Sequence, residues 1–408
     1  MTRYIAIPKR RSDSALARPA PGFAPATRLE RIQTLRNEGL QNTDNRMSDG
    51  LRDRFERQSE RGYKILASPA RQTPITGVTV IEGDAAAAED LQNDLRDHDV
   101  IEDFDLHLIA PKPAGPSTAG ENEVDFWHHE KVMLAAARGQ GFAGSGEGVG
   151  VAVMDTGVNE VAELQGRIAN AYVLDPYLNI LSGPPQDTDG HGTGVAALVA
   201  GKAVGIAPGA TLTSFTTIPR RQGSYSNFLV ATEFIAAQPG IAIANISAGV
   251  PDWEPRIKPG IQALLDAYVF PIVAVGNEGA GTSRSPGNYS EVLSVGACRK
   301  DGTIWSGSGS AARNFEGMEY TVPNLVAPGH RVTTCDATGA FHLYNGSSLA
   351  APIVAGLAAL IIERYGNITD TELREAILDS CAALSGVDVL RQGRGMAQVP
   401  LFLYNLGS

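Results

Sequence analysis

Three polar side chains of this 408-residue chain have the chemical types that nucleophilic catalysis requires. Asp155 follows the apolar run VAVM and precedes Thr-Gly, which predicts a carboxylate at a strand end beside a tight turn. His191 lies in DGHGTG just before a helical run of small apolar residues, and Ser348 lies in NGSSLAAP at the start of a long apolar run. Taken singly, each residue is more often a cap, a turn residue or a structural histidine.

Together the three residues are an acid, an imidazole and a hydroxyl, and that combination favours catalysis. A serine hydroxyl is a poor nucleophile until an imidazole takes its proton, and a carboxylate holds that imidazole in the required tautomer. The chain order Asp, His, Ser is the subtilisin order and differs from the chymotrypsin-like and α/β-hydrolase orders. The sequence therefore predicts hydrolysis through a serine nucleophile.

The segments DTG, HGT and GSSLAAP around these residues resemble the three signatures of the subtilisin-like peptidases, and the resemblance covers residues 121–400. It implies that the nucleophile is Ser348 and not Ser347, that His191 is the general base and that Asp155 is the orienting acid. The activity it implies is that of a serine endopeptidase, acting on polypeptide substrates through an acyl-enzyme intermediate.

The same resemblance implies an oxyanion site and a substrate-binding edge. Asn277, in IVAVGNEG, is similar to the family's asparagine whose side-chain N–H stabilises the tetrahedral oxyanion. Two further segments resemble the extended edges between which substrate binds as an added strand, although ordinary loops remain the alternative. These segments are Ser247, Ala248 and Gly249, and Gly223, Ser224 and Tyr225.

Specificity and metal binding are where this sequence departs from the family pattern. Arg284 stands where many relatives carry glycine at the floor of the S1 pocket, so a cation there would favour Asp or Glu at P1. The alternative, that Glu278 neutralises Arg284, stays open. Residues 196–207 lack the acid and amide side chains of the family's tight calcium loop, so no metal and no other cofactor is expected.

The elements that must position these residues read as an α/β domain. Apolar β-branched runs at 149–154, 241–246, 271–275 and 292–295 alternate with helical stretches. This pattern is typical of a parallel sheet covered on both faces, whose functional groups gather at the carboxyl ends of the strands. The predicted fold is a subtilisin-like, doubly wound, mostly parallel sheet with helices on both faces.

The first 110 residues predict a second, smaller domain. Strands at 3–8, 63–67, 77–82 and 100–109 and a helix at 84–97 accompany a helical region at 28–61. Because Gly39 and Gly50 interrupt that region, two or three short helices are expected there. The order β-α-β-β-α-β matches a ferredoxin-like α+β domain and resembles, more weakly, the family's inhibitory propeptide.

The predicted organisation is a prodomain at 1–110, a Pro/Gly/Ser/Ala-rich linker at 111–124 that carries a cleavage site, and a catalytic domain at 125–408. Residues 1–73 contain 15 Lys and Arg against 8 Asp and Glu, a net charge of +7, which leaves −18 for the remainder of the chain. Opposite charge would help the two domains to dock, so the prodomain is an expected partner.

Composition narrows the remaining classes of function. The chain is 43% hydrophobic and 19% charged, as in ordinary globular proteins, and it has no aromatic-interleaved basic patch for nucleic acid. Three widely spaced cysteines show no zinc or redox spacing, and HHE at 128–130 is expected at an exposed helix start. No signal peptide and no membrane span are recognised, so a cytoplasmic location is expected.

Two hypotheses compete with a general endopeptidase. The chain could be a catalytically silent subtilisin-like protein whose cleft holds a peptide for regulation. It could also be a dedicated maturation peptidase with a single target, which would share the chemistry and differ only in substrate breadth.

Overall fold

The computed structural model describes residues 2–9, 25–46, 64–69, 71–95, 97–114, 125–315 and 317–403. Over these ranges the chain forms a small sheet near the amino end and a large sheet flanked by helices. The second part of the helical region predicted at 28–61 and most of the predicted linker lie outside the described residues.

The small sheet has four antiparallel strands in the order β2-β3-β1-β4. Its strands are β1 (Thr2–Pro8), β2 (Lys64–Ala67), β3 (Thr79–Gly83) and β4 (His98–Glu102). Two helices belong to this region, α1 (Pro25–Arg46) and α2 (Ala85–Asp94). Helix α2 packs Leu91 against Ile81 on one face of the sheet, whereas Ile32 and Leu35 of α1 join a core that includes the large domain.

Seventeen further strands are described, and they form the large sheet and three small ones. In chain order they are β5 (Asp105–Leu108), β6 (Lys112–Pro113), β7 (Gly150–Asp155), β8 (Ile168–Leu174), β9 (Ile180–Ser182), β10 (Thr211–Thr216), β11 (Gln222–Ser224), β12 (Ile241–Ile246), β13 (Ala248–Pro251), β14 (Phe270–Ala274), β15 (Arg284–Ser285), β16 (Leu293–Cys298), β17 (Ala311–Phe315), β18 (Met318–Val322), β19 (Leu325–Pro328), β20 (Val332–Cys335) and β21 (Phe341–Asn345).

The large sheet has the order β19-β16-β14-β12-β7-β10-β8-β9, and only β9 at its edge is antiparallel. Strands β7, β12 and β14 are buried along almost their whole length, as the β-branched runs predict for a sheet covered on both faces. The described helices of this domain are α3 (Trp127–Lys131), α4 (Leu134–Gly139), α5 (His191–Ala200), α6 (Tyr225–Ala236), α7 (Lys258–Asp266), α8 (Ser347–Tyr365), α9 (Asp370–Asp379) and α10 (Val389–Gln392).

Helix α8 runs through the centre of the large domain. Its 19 residues are long and apolar enough to cross a bilayer, which the sequence analysis did not recognise, but nearly all of them are buried inside the molecule. It contacts β12, β14, β16 and β19 as well as helix α5. The helix is thus the core of the domain, and it fixes where its own amino end lies.

Three predictions about local structure are wrong. The strand predicted at 100–109 is two strands, because β4 pairs with β1 whereas β5 pairs with β11 and β13 of the large domain. Residues 25–46 form one helix that continues through Gly39, since a single glycine costs a helix only about 1 kcal/mol. His128 is not exposed but buried, and its Nε2 lies 2.8 Å from the Val204 carbonyl oxygen.

Candidate active site

Asp155 and His191 meet at the carboxyl end of the large sheet. Asp155 is the last residue of β7 and His191 is the first residue of α5. Asp155 Oδ1 lies 2.7 Å from His191 Nδ1 and also accepts a 2.8 Å hydrogen bond from the backbone N–H of Thr156. Both side chains are buried, so the carboxylate fixes the imidazole in one orientation.

Burial lowers the pKa of His191, but the charge and hydrogen bond of Asp155 raise it by more, with Asp187 and Asp189 adding to the effect. The net pKa of His191 is therefore above its ordinary value. An imidazole of this kind is a stronger proton acceptor, and its protonated form is stabilised while it holds a proton in transit.

A second carboxylate, Asp187, holds the turn in front of His191. It accepts hydrogen bonds from Thr156 Oγ1 at 2.7 Å, from the backbone N–H of Gly190 at 2.9 Å and from the backbone N–H of Thr193 at 2.8 Å. It therefore ties the turn after β7 to the first turn of α5. The backbones meet so closely that a Cβ added to residue 192 would lie 2.0 Å from the Gly157 carbonyl oxygen, which explains the glycine there.

Ser347 and Ser348 open helix α8 and have different surroundings. Ser347 donates its hydroxyl to Asn277 Oδ1 at 2.9 Å or to the Gly276 carbonyl oxygen at 3.0 Å, and its backbone N–H donates to Asn277 Oδ1 at 2.8 Å. Within the described part of the chain, Ser348 Oγ and His191 Nε2 are both buried and have no hydrogen-bond partner. The geometry thus gives Ser347 a structural task and leaves Ser348 available for chemistry.

The chain supplies its own extended segment across this site. Strand β5 lies between β11 and β13, antiparallel to both, with Leu106 opposite Gly223 and His107 opposite Gly249. The backbone N–H of Ile109 then donates to the Ser247 carbonyl oxygen at 2.9 Å. A Cβ at Gly223 or Gly249 would meet backbone oxygens at 2.3 and 2.4 Å, so both edges need glycine.

Asn277 is aimed at the next two carbonyl groups. Its Nδ2 donates to the Ile109 oxygen at 3.3 Å and to the Ala110 oxygen at 3.0 Å. A Cβ built on Gly346 would lie 2.8 Å from Ser348 Oγ, 3.1 Å from Asn277 Nδ2 and 3.4 Å from the Cα of residue 111, so these groups surround one point. Beyond it, β6 pairs with β21 and carries the chain out of the cleft.

The other residues predicted on the substrate edge also contact this segment. Ala248 pairs with Leu108 and Ser224 pairs with Asp105. Tyr225 donates its backbone N–H to the Phe104 carbonyl oxygen at 2.8 Å, and its buried ring stacks on the Phe104 ring with centroids 4.9 Å apart.

Arg284 lies beside this edge but carries no unpaired charge. Its guanidinium Nη2 lies 2.8 Å from Glu278 Oε1, its Nε donates to the same oxygen at 2.9 Å, and its Nη1 donates to the Gly249 carbonyl oxygen at 3.2 Å. This is the alternative that the sequence left open. The pairing weakens the attraction that Arg284 could exert on an acidic substrate side chain.

The position of residues 105–109 in the cleft is not predicted from the sequence, which assigns 100–109 to a strand of the amino-terminal domain. The alternation in DLHLI is a strand signal, but it does not say which sheet the strand joins. Among the described residues no group of three His, Cys, Asp or Glu side chains is placed to hold a metal ion. Residues 196–207, which lack the side chains of the family's calcium loop, are held instead by Glu163. Its carboxylate accepts hydrogen bonds from the backbone N–H groups of Ala203 and Val204, at 2.6 and 2.9 Å.

Comparison with known proteins places the chain in a family. Residues 146–396 match the model of the subtilase family. The chain is 29% identical over 275 residues to subtilisin Savinase of Lederbergia lenta, which covers 65% of this chain and 95% of that protein. It is 29% identical over 323 residues to the subtilisin-like protease PopC of Myxococcus xanthus, covering 70% and 65% of the two chains.

A third similar protein is the intracellular serine protease of Paenibacillus polymyxa, 30% identical over 244 residues, which covers 56% of this chain and 71% of that one. The match to the family model extends over more than half of the chain. It includes β11 and β13, the strands that form the two edges of the cleft. The chain therefore belongs to the subtilase family and is a subtilisin-like serine endopeptidase, a hydrolase of peptide bonds.

Proposed function

We propose that Asp155, His191 and Ser348 form the catalytic triad and that the protein is a zymogen inhibited by its own amino-terminal domain. The observation that carries the proposal is the course of residues 105–110. They add a strand between the two edges of the cleft and bring two carbonyl oxygens to Asn277. A peptide substrate bound by the same backbone contacts would present its scissile carbonyl at the amino end of α8.

In the first half of the reaction, Ser348 Oγ attacks the scissile carbonyl carbon while His191 Nε2 takes the hydroxyl proton. Negative charge develops on the carbonyl oxygen, where Asn277 Nδ2, the backbone N–H of Ser348 and the positive end of α8 stabilise it. His191 then gives its proton to the leaving amine, which leaves an ester on Ser348. Water activated by His191 hydrolyses that ester and restores the enzyme.

The bond between Ile109 and Ala110 is the proposed site of self-cleavage. The Ile109 N–H pairs with the Ser247 oxygen, which makes Ile109 the last residue held by the cleft edges before the carbonyl groups that reach Asn277. The following bond has Pro111 on its leaving side, and proline has no N–H and a fixed φ. This position lies just before the linker predicted at 111–124.

The amino-terminal region has the strand order expected of a ferredoxin-like prodomain, β2-β3-β1-β4, which supports that assignment. It meets the catalytic domain through polar contacts as well as β5. Asp103 accepts the backbone N–H of Ser226 at 2.9 Å, and Glu233 accepts the backbone N–H of Thr76 at 3.0 Å. These contacts support residues 1–109 as the inhibitory domain, which occupies the cleft until it is cut and released.

An aliphatic P1 residue is the preference that the cleft contacts favour. Ile109 is almost fully buried in the large core, whereas Arg284 is already paired with Glu278. Peptides that differ only at P1 distinguish this from the acidic preference predicted from Arg284. We expect Ile or Leu to be cut faster than Glu, with the same order in Arg284→Gly. A preference for Glu that disappears in Arg284→Gly would instead support the acidic S1 pocket.

Intact-mass measurement tests the whole proposal. We expect the unmodified protein to yield a fragment ending at Ile109, and the Ser348→Ala protein to stay uncut. A fluorophosphonate should label Ser348 after the prodomain is removed, while Ser347→Ala should still be labelled. Absence of self-cleavage, together with absence of label after another protease has removed the prodomain, would favour the silent peptide-binding alternative.

We also propose a cytoplasmic location. The three free thiols, at Cys298, Cys335 and Cys381, support it.

A further inference from the structure

Helix α1 does not share the outer face of the small sheet with α2. Its residue Arg28 is instead fully buried against the large domain, where helices α6 and α7 end side by side. Arg28 donates from Nη1 to the Pro239 carbonyl oxygen at 2.6 Å, from Nη2 to the Gln238 oxygen at 3.1 Å and from Nε to the Ala267 oxygen at 3.2 Å. One guanidinium therefore bridges the C-cap carbonyl group of α7, at Ala267, and the two residues that follow the C-cap of α6.

The next turn of α1 continues the same contact. Arg31 donates from Nε to the Asp266 carbonyl oxygen at 3.0 Å, and its guanidinium carbon lies 5.9 Å from the centre of the Tyr268 ring. Ile32 and Leu35 are buried beside it. These four positions follow the i, i+3, i+4, i+7 spacing that puts side chains on one face of a helix.

The backbone carbonyl oxygens that surround Arg28 suit a cation. The last carbonyl groups of a helix have no partner within the helix, and they carry the partial negative charge of its dipole. Ala267, the C-cap of α7, presents such a group, and the carbonyl oxygens of Gln238 and Pro239 lie just beyond the C-cap of α6. An arginine presents five N–H donors in a fixed plane, so a single side chain can satisfy several of these oxygens at once. A guanidinium buried without such partners would cost several kcal/mol. The depth of Arg28 is therefore explained by its three carbonyl partners.

We propose that the paired carboxyl ends of α6 and α7 form an exosite for an arginine-bearing amphipathic helix, and that α1 occupies it as a second anchor of the prodomain. The inference rests on the proposed prodomain function and extends it. The exosite contacts are made by residues 28–35, far along the chain from the strand at 105–109. Cutting the bond after Ile109 frees one end of that strand but leaves the α1 anchor in place.

Two anchors on one domain hold it more tightly than either alone, because the second binds at the high effective concentration that the first creates. The α1 anchor should therefore slow the release of the cut domain, and full release should require α1 to leave its exosite.

The test separates cutting from the enzyme's own activity. A recognition site for a sequence-specific protease is inserted between Ala114 and Asp125 of the full chain that carries Ser348→Ala. After that protease has cut, exchange of the labelled amino-terminal fragment against excess unlabelled fragment gives its dissociation rate. We expect Arg28→Ala to raise this rate by about tenfold or more, given the usual strength of hydrogen bonds to a charged group. Arg28→Lys should have an intermediate rate.

Arg71→Ala removes an exposed arginine from the same domain, and Gln33→Ala changes an exposed position of α1 itself. Both should leave the dissociation rate unchanged. The inference is overturned if the fragment with Arg28→Ala leaves as slowly as the unmodified fragment, or if the Arg71→Ala fragment leaves equally fast.

A second variant covers the case in which Arg28→Ala fails to fold. Arg31→Ala removes the hydrogen bond to the Asp266 carbonyl oxygen in the same contact and should also raise the dissociation rate, whereas Gln33→Ala should not. Equal rates for Arg31→Ala and Gln33→Ala would overturn the inference. Failure of the proposed prodomain function looks different, because the protein that retains Ser348 would then cut peptides while its fragment is still bound.

Discussion

Glu233 should make the docking of the proposed prodomain depend on pH. It lies in α6, is almost fully buried, and its carboxylate accepts the backbone N–H groups of Ile75 and Thr76 from the amino-terminal domain. Burial raises the pKa of Glu233 to about 7, even though these hydrogen bonds and the charge of Arg36 lower it. When the prodomain leaves, this part of α6 faces water, and the pKa should return toward the ordinary 4.5.

The difference between the pKa of Glu233 in the docked state and in the released state determines whether acid strengthens or weakens docking. A carboxyl group whose pKa is higher in the docked state binds its proton more tightly there, so protonation favours docking. The favourable contribution is complete below pH 4.5 and is lost as the pH rises through about 7. At about 1.4 kcal/mol for each tenfold change in proton affinity, the rise corresponds to about 3 kcal/mol, or on the order of 10²-fold in the affinity of the docked domain.

The measurement is the dissociation constant of the amino-terminal fragment from the Ser348→Ala protein, cut in the segment before Asp125, at several values between pH 5 and pH 8. We expect binding to weaken with rising pH, and Glu233→Gln to flatten the dependence because glutamine does not titrate. The reasoning fails if the unmodified fragment binds equally well or better at pH 8, or if the glutamine variant keeps the full slope.

Two further predictions concern the active site. Asp189→Asn should move the acidic limb of the kcat/KM profile to lower pH, because Asp189 raises the pKa of His191. Arg221→Ala should move the same limb to higher pH, because it removes the cation that forms a 2.7 Å ion pair with Asp189. A shift of the limb in the same direction in both variants would contradict this reasoning. Asn277→Ala should lower kcat by about 10²–10³, a range set by subtilisin, a relative of this protein. A fall in thermal stability should accompany it because Asn277 also holds Ser347, and an unchanged kcat would rule out the oxyanion role.

The positions of the polar groups could be predicted because their surroundings are local in sequence. Asp155 follows a buried strand and His191 precedes an apolar helix, so each could be assigned to the end of an element before the fold was known. Four central strands of the parallel sheet, β7, β12, β14 and β16, were equally accessible, since fully buried strands read as continuous β-branched runs. These are features that a short window of residues determines.

Contacts between residues that are far apart in the sequence could not be predicted in the same way. Residues 98–108 contain two strands, but their sequence pattern is that of a single strand. Strand β5 leaves the small sheet because it pairs with β11 and β13, which are distant in the sequence. Arg28 is a similar case. An arginine in helical sequence normally faces water, and its burial depends on carbonyl groups that lie more than 200 residues away.

Contacts at the two ends of helix α6 orient the amino-terminal domain, the proposed prodomain, on the large domain. At its amino end the carboxylate of Asp103 accepts the backbone N–H of Ser226, and at its carboxyl end the guanidinium of Arg28 binds the oxygens of residues 238 and 239. Arg3 also lies near the amino end, where its Nη1 is 3.4 Å from Ser226 Oγ and its Nη2 donates to the Pro176 carbonyl oxygen at 2.7 Å. The charges of Asp103 and Arg28 thus match the polarity of the helix, whereas the charge of Arg3 opposes it, and reversed docking would set Asp103 and Arg28 against the dipole.

The orientation chosen in this way also determines what enters the cleft. Strand β11 leads directly into α6, so a domain that fits the two ends of this helix in the observed direction lays β5 against β11 in the antiparallel register. The register in turn brings the Ile109 and Ala110 carbonyl groups to Asn277. If the bond after Ile109 is the one that Ser348 attacks, as proposed, the charged contacts at the two ends of α6 help to select it.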